Sequence, residues 1–265
     1  MSKERKLLTK MIYTAIFIAL CYAGTFIAIP MGSSKVHLGN FFCILAGLLC
    51  GGLVGGVAGS LGMGLNDLTL GYPWTTYLRT FLLKFLMGFL VGYLFRLCLK
   101  KKLNGTFLLG VATLICLGLF GYTLAMYFQP ESQYGLVTLI STSVLAGLML
   151  VALFISFRLP QMSKCLLFAL VIALGVNVAG EFFLRIGFMM ITGVGFEQAL
   201  SLSIVKLPAA IFTSIVTIAG IMVFYYPLYL ATRKINEAND LEDYIPLPKM
   251  LREKKQSKEE DKPTD

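Results

Sequence analysis

Apolar runs of about 20 residues, broken by short polar or charged segments, repeat along this chain as far as residue 231, and that pattern predicts membrane-spanning helices. The expected helices cover 11–29, 39–50, 53–70, 75–99, 106–128, 135–157, 165–191 and 201–231. The stretch 39–70 decides the topology. It is 32 residues long, and a single helix of that length would measure about 48 Å against a hydrocarbon core of about 30 Å. Two shorter helices with a tight reversal at Gly51-Gly52 fit better. Alternating ten-residue strands are absent, which argues against an outer-membrane barrel. The expected fold is therefore all-α: a polytopic membrane helical bundle of about eight spans.

Charge supports that count. Of the 23 Lys and Arg, 18 fall at one side if the chain crosses eight times: at the N-terminus, around 96–102, around 158–164, and from Arg233 onward. Treating 39–70 as one span would put either the N-terminus or the later basic loops on the far side. The positive-inside rule thus favours the split, with both termini cytoplasmic. The basic N-terminus followed by 11–29 resembles a signal peptide, but the run is long and no clean small-x-small site follows, so a retained first helix is expected. The chain divides into a membrane domain, 1–235, and a charged tail, 236–265, expected to be flexible and cytoplasmic. With 57% hydrophobic residues and no soluble domain large enough for a binding face, the net charge of +9 reflects basic loops facing a bilayer, not a nucleic-acid partner.

Little points to metals, cofactors or catalysis. The six cysteines lie in apolar segments without a Cys-x-x-Cys, and read as small packing residues. His37 is the single histidine and has no His or Cys near it in sequence, so no metal site is expected. An intramembrane enzyme would need a nucleophile–base pair or a metal set, and one histidine without a His–Glu motif argues against it.

Small and polar residues recur at helical spacing. Ala15, Ala19 and Ala23 share one face of the first helix, suited to close packing either inside the protein or against a partner. Gly47, Gly51, Gly55 and Gly59 form a row across the reversal, with Gly52 and Gly56 as a second. Thr76, Thr80 and Lys84 repeat every four residues, followed by Gly88 and Gly92. Lys84 would lie roughly 12–14 Å from the outer end of its helix, too deep to face lipid cheaply, so it should point into the protein. The plainer alternatives are a structural ion pair or snorkelling. Asn177, Glu181 and Arg185 form a polar stripe at i, i+4 and i+8. An intramembrane Glu181 is a functional candidate, and a local Glu181–Arg185 pair is the structural reading. Tyr72 and Trp74 suit a membrane–water interface, and Pro208 is expected to kink the last helix.

The order His37-Leu38-Gly39-Asn40, Leu45-Ala46-Gly47, a glycine series, Asp67-Leu68, Gly71-Tyr72-Pro73, then Lys84 and Gly88 resembles the S components of energy-coupling factor (ECF) transporters, which capture vitamins for bacterial and archaeal uptake. The alanine row Ala15, Ala19 and Ala23 is similar to the family's small-residue motif. The resemblance implies that this face docks on the coupling subunit. It also implies a six-helix core, so the helices within 104–157 read as an inserted pair. Implied partners are a transmembrane coupling (T) protein and two cytosolic ATPases, in a bacterial or archaeal cytoplasmic membrane. This chain has no Walker-type glycine-lysine loop of its own. In the family the solute sits near the outer surface, under the loops after helices one and three. The resulting substrate-binding candidates are Lys35, His37, Asn40, Asp67, Tyr72, Trp74, Arg79, Lys84, Asn177 and Glu181, with aromatic rings stacking on a heterocycle and polar groups orienting it. Riboflavin, folate, pantothenate, pyridoxine and a thiamine precursor remain open as solutes. Five cations against four acidic groups in the outer half lean towards a carboxylate or phosphate. The alternative function is a stand-alone proton-coupled transporter with Glu181 as carrier.

Overall fold

The computed structural model describes residues 3–31, 34–128 and 136–232; the expected polar loop at 129–134 and the charged tail from 236 lie outside these. Among the described residues there are eight helices: α1 (Lys3–Gly24), α2 (Gly39–Cys50), α3 (Gly52–Thr69), α4 (Trp74–Lys100), α5 (Gly105–Tyr127), α6 (Leu136–Ser156), α7 (Gln161–Ile191) and α8 (Phe196–Ala231). Between α1 and α2 lies a hairpin of β1 (Ala28–Met31) and β2 (Ser34–His37). By length and apolarity α1, α4, α5, α7 and α8 suffice to cross a bilayer. At 12 residues α2 measures about 18 Å and reaches only part of the way.

Gly51 makes the expected reversal by itself. Its φ of 104° and ψ of 159° are open to glycine and strained for other residues. Its N–H donates to the Gly47 carbonyl (3.1 Å), and its carbonyl accepts from the Gly55 N–H (2.9 Å), so one residue ends α2 and begins α3. Arg96 donates from Nη2 to the Leu49 carbonyl (3.5 Å), placing a cation where the last carbonyls of α2 lack helical partners.

The glycine rows let α2, α3 and α4 meet backbone to backbone. A Cβ at Gly47 would run into the Gly88 carbonyl, one at Gly55 into the Gly47 backbone, and one at Gly92 into the Gly52 backbone. Without a hydrophobic force between helices in lipid, such close approach maximises dispersion contact. On one side of this layer α1 packs through Phe17 and Cys21, with Gly62 of α3 against the Ile18 carbonyl and the Cys21 side chain. On the other side α7 and α8 complete the core, where Phe95 meets Tyr225 edge-on at 5.4 Å. Ala15, Ala19 and Ala23 are all exposed, so the first of the two expectations for that row, packing within the chain, is not what the three residues do.

Helices α5 and α6 pack on each other and along α7. Hydroxyls join them: Thr123 to Thr142 (2.9 Å), Ser156 to Thr106 (3.3 Å), and Thr113 to the Met149 carbonyl (3.3 Å). Such interhelical bonds replace water as partner for polar groups in an apolar medium.

Four local expectations need correcting. Helix α1 ends at Gly24, not at 29, because Thr25 turns its hydroxyl back to the Tyr22 carbonyl (2.6 Å) and the following Ile27, Ile29 and Pro30 favour extended backbone. The expected loop at 30–38 is largely strand: Ala28 pairs with His37, Ile29 with Val36, Pro30 with Lys35 and Met31 with Ser34. Helix α8 starts at Phe196, five residues early, and runs unbroken through Pro208 and Pro227. Finally, two cysteines are not plain packing residues: Cys98 at the end of α4 and Cys165 at the start of α7 form a disulfide, with Cα atoms 5.7 Å apart.

Candidate functional site

The end of the bundle that carries the hairpin and the turns after α3 and α7 holds a half-open cavity of about 570 Å³. Five segments of the chain converge on it. His37 and Asn40 come from the junction of β2 and α2, and Asp67 and Tyr72 from the end of α3 and its turn. Helix α4 supplies Thr76, Arg79, Thr80 and Lys84, helix α7 Asn177, Val178, Glu181, Phe182 and Arg185, and helix α8 Ser203, Lys206, Leu207, Ala209, Ala210 and Thr213. Each helix presents one face: positions 76, 80 and 84, then 177, 181 and 185, recur every four residues.

A charge network spans the floor. The Glu181 carboxylate lies 3.3 Å from Arg79 Nε, 3.8 Å from Lys84 Nζ and 3.5 Å from Arg185 Nη2. Lys84 Nζ also donates to Asn177 Oδ1 at 2.8 Å, so α4 and α7 are locked together by polar contacts at membrane depth. Arg79 and Lys84 are buried, at 7% and 5% exposure, and buried charges persist only when paired. The local Glu181–Arg185 pair foreseen from spacing does form, as one of three contacts.

The hairpin roofs this end. The Leu38 N–H donates to the Gly24 carbonyl at 3.0 Å, the Gly39 N–H donates to His37 Nδ1 at 3.1 Å, and β2 lies against α8. Those bonds hold His37 over the cavity. Nearby, two acceptors lack hydrogen-bond partners: Asn40 Oδ1 and Asp67 Oδ2 are both buried atoms.

Of the ten sequence candidates, His37, Asn40, Asp67, Tyr72, Arg79, Lys84, Asn177 and Glu181 line this one cavity. Lys35 stands in β2 opposite Pro30. The geometry does not bring Trp74 in. As the first residue of α4 it sits about 200° around the helix from Thr76, is 61% exposed, and packs edge-on against Phe188 at 6.3 Å. Thr76, Thr80 and Arg185 stood out in the sequence as stripe positions but not as binding candidates, and the α8 face was missed. Its signal was present: Ser203, Lys206, Ala210 and Thr213 follow the i, i+3, i+7, i+10 spacing of one helical stripe. Among the described residues, no three His, Cys, Asp or Glu stand together as a metal site would require.

An all-α bundle with five helices long and apolar enough to cross a bilayer, carrying a charged, half-open cavity at one end, defines a multi-pass membrane protein. The family model described as "ECF-type riboflavin transporter, S component" matches residues 6–156, more than half of the chain, and the chain belongs to that family. No curated protein and no solved structure matches it. The matched segment runs from α1 through α6. Helices α7 and α8, which carry Asn177, Glu181, Arg185 and Lys206, fall outside the match.

Proposed function

We propose that this chain is the solute-capturing subunit of an ECF-type importer of a bacterial or archaeal cytoplasmic membrane. It binds a water-soluble vitamin or vitamin precursor in the cavity, and a coupling protein with two ATPases then drives delivery. The observation that carries this reading is the cavity itself, in which polar side chains of α4, α7 and α8 converge within a chain of the S-component family. Substrate-binding roles follow for His37, Asn40, Asp67, Tyr72, Arg79, Lys84, Asn177 and Glu181, with Thr76, Thr80, Arg185 and Lys206 added. Riboflavin, which the family's description names, is one candidate solute.

Docking is assigned to α1. Ala15, Ala19 and Ala23 lie exposed along one side, next to the exposed Met11, Ile12 and Ile16, and together they form a smooth apolar strip on which another helix can seat closely. The chain is read as a transport subunit and not as an enzyme; energy comes from its partners.

The test is uptake into vesicles containing the chain with and without its coupling protein and ATPases. Uptake should require ATP and all partners. Ala19→Leu should abolish uptake and co-purification with the coupling protein, and solute binding to the isolated subunit should stay within about twofold, because Ala19 is exposed and does not line the cavity. Uptake by the chain alone, collapsing with the proton gradient, would instead identify a stand-alone transporter.

A further inference from the structure

We infer that the cavity takes a solute with an anionic group, a carboxylate or a phosphate ester, held by Lys206 and Arg185 of α8 and α7, and with hydrogen-bond donors at its opposite end facing Asn40 and Asp67. This rests on the reading of the chain as a solute-capturing subunit and adds the solute's chemical class.

Charge is the first ground. Four basic side chains line the cavity, Arg79, Lys84, Arg185 and Lys206, against two carboxylates, Asp67 and Glu181. Glu181 is already shared among Arg79, Lys84 and Arg185. Lys206 has no carboxylate within 4.0 Å among the described residues. Excess positive charge in a low-dielectric site is costly, and an entering anion removes that cost while gaining charge-assisted hydrogen bonds.

Unmet hydrogen bonding is the second ground. On the α2–α3 side the buried Asn40 Oδ1 has no partner, and neither has Asp67 Oδ2, although the Asp67 carboxyl group also meets the Thr80 hydroxyl. Asn40 is only 4% exposed. Both are acceptors, so they call for N–H or O–H groups on the solute. The cavity therefore has two chemically distinct sides, cationic on α7 and α8 and acceptor-rich on α2 and α3. Its volume of about 570 Å³ suits a single vitamin-sized molecule.

The third ground is where the cations come from. Arg185 and Lys206 lie beyond residue 156, outside the segment shared with the family model. The anion-binding side is thus built by the part of the chain that the family match leaves unconstrained, and the solute need not be the neutral flavin of the family's description.

The experiment uses the purified full chain in detergent and pairs of probes that differ in one anionic group: riboflavin against riboflavin 5′-phosphate, pantothenol against pantothenate, and nicotinamide against nicotinate, with inorganic phosphate alone. Thermal stabilisation and equilibrium binding are read for the wild type, Lys206→Gln and Lys206→Arg. At least one anionic probe should bind tenfold or more tightly than its neutral counterpart. Lys206→Gln should erase that preference and Lys206→Arg should keep most of it. The phosphate and carboxylate arms then separate the two anion types. Neutral probes that bind as well as their anionic partners in every pair overturn the inference. So does a preference unchanged in Lys206→Gln, or a panel in which no anionic probe binds. The importer reading is judged separately by ATP-driven uptake. A neutral solute taken up with ATP leaves that reading standing and removes this one, and an anion bound without ATP-driven uptake does the reverse.

Discussion

Replacing Glu181 by Gln is expected to lower the thermal stability of the purified protein by several degrees without preventing it from folding. The carboxylate has three cationic neighbours at 3.3–3.8 Å. At an effective dielectric constant of about 20, each attraction is worth roughly 4–5 kcal/mol before opposing effects are counted. The cations also repel one another, and each has given up water to reach the site, so these attractions do not sum. Removing one partner from a buried pair costs about 3–5 kcal/mol, because the remaining charge is left uncompensated. Glu181 retains 21% side-chain exposure, which lets water screen part of the loss and places the expectation at the lower end, about 3 kcal/mol. For a chain of this size that corresponds to a fall in melting temperature of roughly 6–12 °C. The assay is thermal unfolding in detergent, followed by intrinsic fluorescence and by size-exclusion recovery after heating. Adding Arg185→Gln to Glu181→Gln should cost less than the separate losses combined, since the second change removes one of the orphaned cations. A melting temperature within about 2 °C of wild type for Glu181→Gln would refute the reasoning, and would mean that Arg79, Lys84 and Arg185 are compensated elsewhere.

Two further outcomes test the architecture. Gly88→Ala places a methyl group against the Gly55 carbonyl and the Gly56 amide of α3, backbone atoms that cannot move aside cheaply, and should cost about 1–3 kcal/mol in thermal unfolding. The control Gly118→Ala enters open space on α5 and should be neutral or stabilising by up to about 1 kcal/mol; equal losses from both would contradict the glycine interface. The Cys98–Cys165 bond joins residues 67 apart in sequence, and the double substitution to Ser should cost about 2–4 kcal/mol. Maleimide labelling followed by mass spectrometry should leave both positions unmodified until a reductant is added, and labelling of either in untreated protein would show that the bond is not made.

The helices among the described residues, the break at Gly51 and eight of the nineteen residues that line the cavity could be read directly from the chain. Each depends on local chemistry or on a fixed period. Apolar run length sets whether a helix can cross hydrocarbon, and Gly51 is needed wherever φ is strongly positive. The spacing 76, 80, 84 and 177, 181, 185 puts polar groups on one side of a helix that is otherwise apolar. Lys84 was legible as inward-facing for the same reason, since lipid offers a charge no partner.

What periodicity cannot supply is which stripe faces which. Lys84 pairing with Asn177 joins positions 93 residues apart, and nothing in either stripe names the other. The convergence of Arg79, Lys84 and Arg185 on Glu181, the exclusion of Trp74, and the arrival of Lys206 from α8 follow from how α4, α7 and α8 pack. Cys98 and Cys165 carried no motif, and only folding brings the end of α4 to the start of α7. The hairpin at 28–37 was hidden because a short apolar run such as Ala28–Met31 fits a helix end as well as a strand, until β2 supplies the partner and α8 the surface beside it. Sequence alone thus determined that this chain is a membrane bundle with charges held inside it. Tertiary packing decided which charges meet, because pairing energy depends on distances between helices that no single helix encodes.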